Sequence, residues 1–261
     1  MRARSGLVQR LHGIIPVAIL CALSVNCGRP ADSFYASAEA GKKLIAIEVH
    51  DINKVTMTLV GPTDTVGCVA MARAPSSGVL YSVCGPGVYA PGSQQLATID
   101  QKTGHATSFG MVTDGLQVMA LEFAANGTLY AVGDANPSSP TFNSLYTVDV
   151  MSGAFTRIGS TGASPFFMDF AFDRDGKIYG ATSQGLYIID PRTRIATKIV
   201  NFVGGGDIMG LSFNGNQDRL YATDFKTPIS ALYLVDVKSG FLTPVAATGY
   251  ANAHGLVPAN R

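Results

Sequence analysis

Leu145–Gly159 reads LYTVDVMSGAFTRIG, and the chain repeats this pattern with other residues: LATIDQKTGHATSFG at Leu96–Gly110, LYIIDPRTRIATKIV at Leu186–Val200 and LYLVDVKSGFLTPVA at Leu232–Ala246. A recurring period of this kind marks a repeat architecture. Each copy reads as two strands joined by a tight turn. Leu145, Thr147 and Asp149 alternate with Tyr146 and Val148, the two-residue period of a pleated strand. The acid closing the first strand (Asp100, Asp149, Asp190, Asp236) can accept a bond from the backbone two residues on, and Gly104, Gly153 and Gly240 supply the positive φ the turn needs. The third copy departs, with Pro191 after the acid and Arg194 in place of glycine, so its turn is expected to differ.

A second pattern precedes the first in every repeat. It reads ALEFAANGTLYAVG at Ala120–Gly133, DFAFDRDGKIYGAT at Asp169–Thr182 and GLSFNGNQDRLYATD at Gly210–Asp224, with a longer and looser version at Gly67–Cys84. Each predicts a hairpin turning on Asn126-Gly127, Asp175-Gly176 or Asn214-Gly215. Two hairpins make four strands per repeat. The tyrosines opening the second strand fall at 81, 130, 179 and 221, at intervals of 49, 49 and 42. A β-propeller blade takes about 40–45 residues, and the excess sits in loops.

Four blades follow, at about 64–111, 112–160, 161–201 and 202–247, and the two ends together spell a fifth. Ala253–Val257 matches Ile208–Ser212, a first strand, while Phe34–Ala38, Leu44–Val49 and Lys54–Gly61 match the second, third and fourth. The expected fold is all-β: a β-propeller of five four-stranded blades, closed by pairing N- and C-terminal strands so that no sheet edge is left open. The repeat LY-x-[IV]-D-x-x-[TS]-G followed by T-x-[IV]-G resembles bacterial β-propeller proteins of the WD40-like, NHL-like and YVTN-like kind over about residues 33–257. That resemblance implies the fold and leaves function open, because such propellers serve as binding scaffolds, lactonases, lyases and quinone enzymes alike.

Composition agrees. With 29 Gly and 13 Pro the chain is punctuated as short strands and turns require, and only 14% of it is charged against roughly 25% in an average domain. The first residues differ: Arg2, Arg4 and Arg10 precede an apolar run from Ile14 to Val25 that is too short to span a bilayer, for which about 20 residues are needed. Residues 1–27 therefore read as an export signal, residues 28–33 as a tether and residues 34–261 as a single propeller domain. Leu23–Cys27 resembles a lipoprotein signal with Cys27 as the lipid acceptor, although Asn26 is larger than the residue usual there; ordinary cleavage after Ser24 or Ala38 is the alternative. Cleavage at Ala38 would remove a strand of the closing blade. The expected location is the cell envelope, lipid-anchored or periplasmic, or the exterior, with the membrane touched only through the anchor or signal. Removing three arginines takes the net charge from +1 to −2 and leaves no basic cluster, which excludes nucleic acid as a partner.

First strands line a propeller's channel, so the positions three before their shared glycine (Asp64, Gln117, Phe166, Asp207, Asn252) are expected at one mouth. The carboxylates and amides of Asp64, Gln117, Asp207 and Asn252, joined by Asp169 and His254, would suit Ca²⁺ or a sugar-like ligand. The plainer reading is that short polar residues before a strand satisfy loop backbone. Cys68 and Cys84 fall on neighbouring strands, as a disulfide or as two buried thiols. Gly204–Gly206 reads as a flexible connection, and no catalytic motif stands out. The leading functional reading is a monomeric binding or interaction module for a protein or small molecule; the alternative is a metal-dependent enzyme of the lactonase or lyase kind.

Overall fold

The computed structural model describes residues 30–65, 67–85, 94–113, 116–134 and 136–260; the expected export signal, Cys27 and the start of the tether lie outside them. The described residues form strands and no helix. β1 (Asp32–Ala38), β2 (Lys43–Asp51) and β3 (Lys54–Pro62) come first. A first complete blade follows as β4 (Ala70–Arg73), β5 (Leu80–Cys84), β6 (Gln95–Ile99) and β7 (Ala106–Val112), and a second as β8 (Val118–Phe123), β9 (Leu129–Gly133), β10 (Ser144–Val148) and β11 (Phe155–Ser160). The third is β12 (Phe167–Phe172), β13 (Ile178–Thr182), β14 (Gly185–Ile189) and β15 (Ala196–Asn201), and the fourth β16 (Asp207–Phe213), β17 (Leu220–Phe225), β18 (Ala231–Val235) and β19 (Leu242–Ala247). The last strand, β20 (His254–Pro258), pairs antiparallel with β1, so the closing sheet runs β20-β1-β2-β3 and both ends of the chain share one blade. This is the five-bladed propeller that the repeats predict.

The inner strands β4, β8, β12, β16 and β20 touch one another in cyclic order. Every residue of β8, β12 and β20 is buried, whereas β15, at an outer edge, has no buried residue. The conserved-looking letters of the repeat have separate jobs. In the first three complete blades the tyrosine near the start of the second strand packs on a phenylalanine from the next blade: Tyr81 on Phe123, Tyr130 on Phe172 and Tyr179 on Phe213, with ring centroids 5.5–5.6 Å apart. Such tilted and edge-on pairs add about 0.5–1.5 kcal/mol each beyond the area they bury.

The outer turns work alike in all four copies. The acid's carboxylate accepts the amide two residues on, at 2.7 Å for Asp100, 2.9 Å for Asp149 and 2.8 Å for both Asp190 and Asp236. These amide bonds hold the four carboxyls below their ordinary pKa. A second reason for glycine is contact between blades: a Cβ on Gly104 would come within 2.7 Å of the Gly61 carbonyl oxygen in the preceding blade. The third turn corrects the expectation that it would differ. Arg194 takes the glycine conformation at φ 69°, its amide donates to the Asp190 carbonyl at 2.6 Å, and its Nη1 donates to the Ile158 carbonyl at 3.2 Å. Gly159, opposite, leaves room for the guanidinium.

Two features fasten the ring where it joins. Asp32, on the first strand, accepts the Asn214 amide at 2.9 Å and the Tyr221 hydroxyl at 2.9 Å, tying the N-terminus to the fourth blade. Cys68 and Cys84 are joined as a disulfide, linking the approach to β4 with the end of β5.

Candidate functional site

The loop into β16 and the loop leaving β17 open a cleft of about 680 Å³ at one face of the ring, between the third and fourth blades. Its volume lies within the roughly 300–1,000 Å³ usual for small-molecule sites. Asp207, the first residue of β16, stands exposed on its wall with Ser183, Phe225 and Lys226, and Phe202, Asp224 and Tyr233 lie deeper. Phe225 is 41% exposed, a large aromatic surface held open to solvent.

The floor is built to be rigid. Asp224 is fully buried; its carboxylate accepts the Ala231 amide at 2.7 Å and the Tyr233 hydroxyl at 2.9 Å. Burial and the adjacent carboxylate push the Tyr233 phenol up to about 12, so it remains a neutral donor at physiological pH. Gly204–Gly206 is not the free connection expected from its composition. A Cβ on Gly205, at φ 91°, would lie 3.4 Å from the Tyr233 ring, and one on Gly206 would meet the Asp224 carboxylate at 3.0 Å. Side chains are absent there because the backbone itself covers the tyrosine.

The structure separates the other polar residues expected at this mouth. Asn252, at φ 49°, donates its amide to the Lys226 carbonyl at 3.3 Å and so adjoins the cleft, with its own Oδ1 buried and unpartnered. Gln117 sits before β8, away from the cleft, with a buried, unpartnered Nε2. Asp64 moves furthest. Its exposed carboxylate pairs with His105 Nδ1 at 2.8 Å beside the outer turn of the first blade. The register explains this: Ala70 pairs with Val83 as Ala120 pairs with Val132, so Ala70, not Gly67, is the equivalent of the shared glycine.

Asp169 and His254 are buried behind the cleft, and the His254 ring packs edge-on against Phe225 with centroids 6.2 Å apart. Asp169 accepts the Phe170 amide at 2.9 Å and the Leu211 amide at 2.8 Å, bridging β12 to β16, and is 2% exposed. Desolvation, with Glu122 nearby, raises its carboxyl well above the ordinary range. His254 is 3% exposed, and burial lowers its imidazole to about 4, leaving it neutral. Among the described residues no three His, Cys, Asp or Glu side chains converge as metal ligands, and of the two carboxylates expected at the mouth Asp64 is paired with His105 instead.

Fold and cleft together define a bacterial β-propeller repeat protein. The chain belongs to the family described as a repeat of unknown function, DUF6923, whose pattern matches residues 34–253. No curated protein matches it. Among solved structures it is similar to one from the nidogen/laminin complex, at 11% identity and a TM-score of 0.55, covering 88% of this chain and 98% of that one. It is also similar to TolB from Acinetobacter baumannii (13% identity, TM-score 0.45, 85% of this chain and 55% of that one). A third is hydrazine synthase from Kuenenia stuttgartiensis (16%, TM-score 0.44, 71% and 49%). The chain thus spans about half the length of the last two. At such identities the likeness speaks of fold alone.

Proposed function

We propose that this protein is a binding module that takes a polyhydroxylated, sugar-like ligand in the cleft beside Asp207. The observation that carries the reading is the combination of chemistries in one opening. Phe225 offers an exposed aromatic face for the C–H side of a sugar ring, while Asp207, Ser183 and Lys226 surround it with acceptors and donors for hydroxyls. Sites of this kind fix orientation with a few convergent polar groups around an apolar surface. The backbone-bonded Asp224 and the packed glycine loop hold the walls in place before any ligand arrives, which lowers the ordering cost of binding. An exported setting is part of the proposal, and the Cys68–Cys84 disulfide supports it, since such bonds persist in oxidising compartments.

The test is thermal unfolding of the protein across a panel of mono- and oligosaccharides, beside an Asp207→Ala variant. Asp207 is exposed, so the variant keeps the fold. A ligand at a hundred times its dissociation constant adds about 2.7 kcal/mol. The expected result is a rise with one sugar class that the variant loses. No rise with any sugar, or one that survives the substitution, overturns the reading.

A further inference from the structure

The inner strands carry an irregularity at one repeated position. In β8, β12 and β16 the pairing slips by one residue, between Val118 and Ala120, Phe167 and Asp169, and Ile208 and Gly210. The residue inserted each time is a methionine: Met119, Met168 and Met209. β20 also slips, but one step later: His254 pairs with Ser37 and Val257 with Tyr35, so the extra residue follows His254. Contacts between neighbouring strands confirm the equivalence. Asp169 reaches the Leu211 amide, a Cβ on Gly210 would meet the Leu256 amide at 3.1 Å, and one on Gly255 would meet the Met71 amide at 2.9 Å. The residues just before these three, Met168, Met209 and His254, therefore occupy one level of the ring, with Met119 and Val69 at the remaining two places.

A bulge turns the inserted side chain away from the alternation of its strand. Ile208 and Leu211 pack between the third and fourth blades, yet Met209, lying between them in sequence, belongs instead to the cluster that holds Met119 and Met168. Three methionines from three blades share one buried cluster, each 6% exposed, and the place common to three blades is the axis around which their inner strands meet. His254 adds an imidazole whose Nε2 is buried and makes no hydrogen bond. Leaving such a nitrogen buried and unpaired is costly, a cost that an aliphatic residue in its place would avoid. Thioethers accept soft cations and are poor partners for hard ones, and a neutral imidazole is a ligand for both.

We propose that Met119, Met168, Met209 and His254 form a site at the ring axis for a soft monovalent cation, copper(I), with three thioether sulfurs and one imidazole nitrogen as ligands. The donor set discriminates by chemistry: Ca²⁺ and Mg²⁺ find no oxygen ligands in it, and Zn²⁺ prefers thiolate and imidazole to thioether. The site adjoins the cleft beside Asp207: none of the four ligands lines that cleft, but the His254 ring stands edge-on to that of Phe225 with centroids 6.2 Å apart.

The experiment titrates the purified protein anaerobically with copper(I) against a chromogenic copper(I) chelator, and in parallel follows its melting temperature with silver(I). Met168→Leu with Met209→Leu and, separately, His254→Leu are compared with Met151→Leu, an exposed control. Methionine to leucine nearly conserves volume, and far-UV circular dichroism establishes that the variants fold. The expected result is one equivalent of copper(I) withheld from the chelator, a raised melting point with silver(I), and no response to Zn²⁺. Folded ligand variants should bind at least about a hundredfold more weakly, beyond the loss typical of a residue outside the ligand set. X-ray absorption of the copper-loaded protein should show a sulfur shell that the double methionine variant loses. Failure of the parent to compete with the chelator overturns the proposal, as does retention of full affinity by the folded ligand variants.

Discussion

Deleting Ala253–Arg261 tests the ring most directly. The deletion removes β20, whose Leu256 and Val257 are 1% and 0% exposed. Each such side chain contributes about 1.5–3 kcal/mol, so the two give about 3–6 kcal/mol. Further losses come from the ladder to β1, from the Thr223 hydroxyl's bond to the Ala253 carbonyl at 3.0 Å, and from the packing of β20 against β16 and β4. The sum approaches the whole stability of a domain, about 5–15 kcal/mol. Urea unfolding followed by circular dichroism and tyrosine fluorescence suits a chain with ten Tyr and no Trp. The expected outcome is loss of the parent's single cooperative transition, with blade edges open to solvent. A truncated protein with the parent's midpoint and slope would refute closure by β20.

Two substitutions probe other claims. Because the Asp169 carboxyl titrates higher in the folded chain than unfolded, the folded state holds its proton more tightly; its contribution is full below the unfolded value of about 4 and is lost as pH climbs toward the raised one. Asp169→Asn should therefore flatten the fall of melting temperature with rising pH above that value, and parallel pH curves for the two proteins would discard the argument. Arg194→Gly relieves a left-handed conformation costing roughly 1–2 kcal/mol while giving up two exposed bonds, to the Thr193 and Ile158 carbonyls, for a net gain of no more than about 1 kcal/mol in denaturant melts. Destabilisation by Arg194→Gly would show that the Ile158 contact governs that turn.

The fold was legible because what the blades share is what builds them. The Tyr–Phe contacts, the Asx turns and the paired glycines recur in the letters, and even the split blade could be assembled from its halves. The cleft is made of what the blades do not share. Phe202 and Lys226 lie in loops and Phe225 at the last position of β17, all outside the repeated letters, so the repeats do not point to them. The one signal available was an aromatic residue, Phe225, at the exposed last position of a strand, directly before a polar loop. Asp64 was misplaced because the approach to β4 carries extra residues between Gly67 and Ala70, which slid the alignment by three. The inner-strand bulges were invisible for a related reason: a single inserted residue leaves the hydrophobic pattern intact and shows only in the pairing. Gly204–Gly206 was read from composition, which cannot tell a loose loop from one pressed against a tyrosine ring.

The sharing of one sheet by both ends of the chain also sets an order of events during synthesis. Each inner hairpin is local and can form as soon as it leaves the ribosome, but the contact that completes the circle, such as Ser37 with the His254 carbonyl, spans 217 residues. Contacts of such separation form late, after shorter loops have closed. Until β20 emerges, the nascent chain is an open arc with β1 unpaired along one side, a template that a second arc could occupy in place of β20. Emergence of β20 and disappearance of that edge are the same event, so a chain stalled or clipped before β20 carries a structural mark that one containing it lacks.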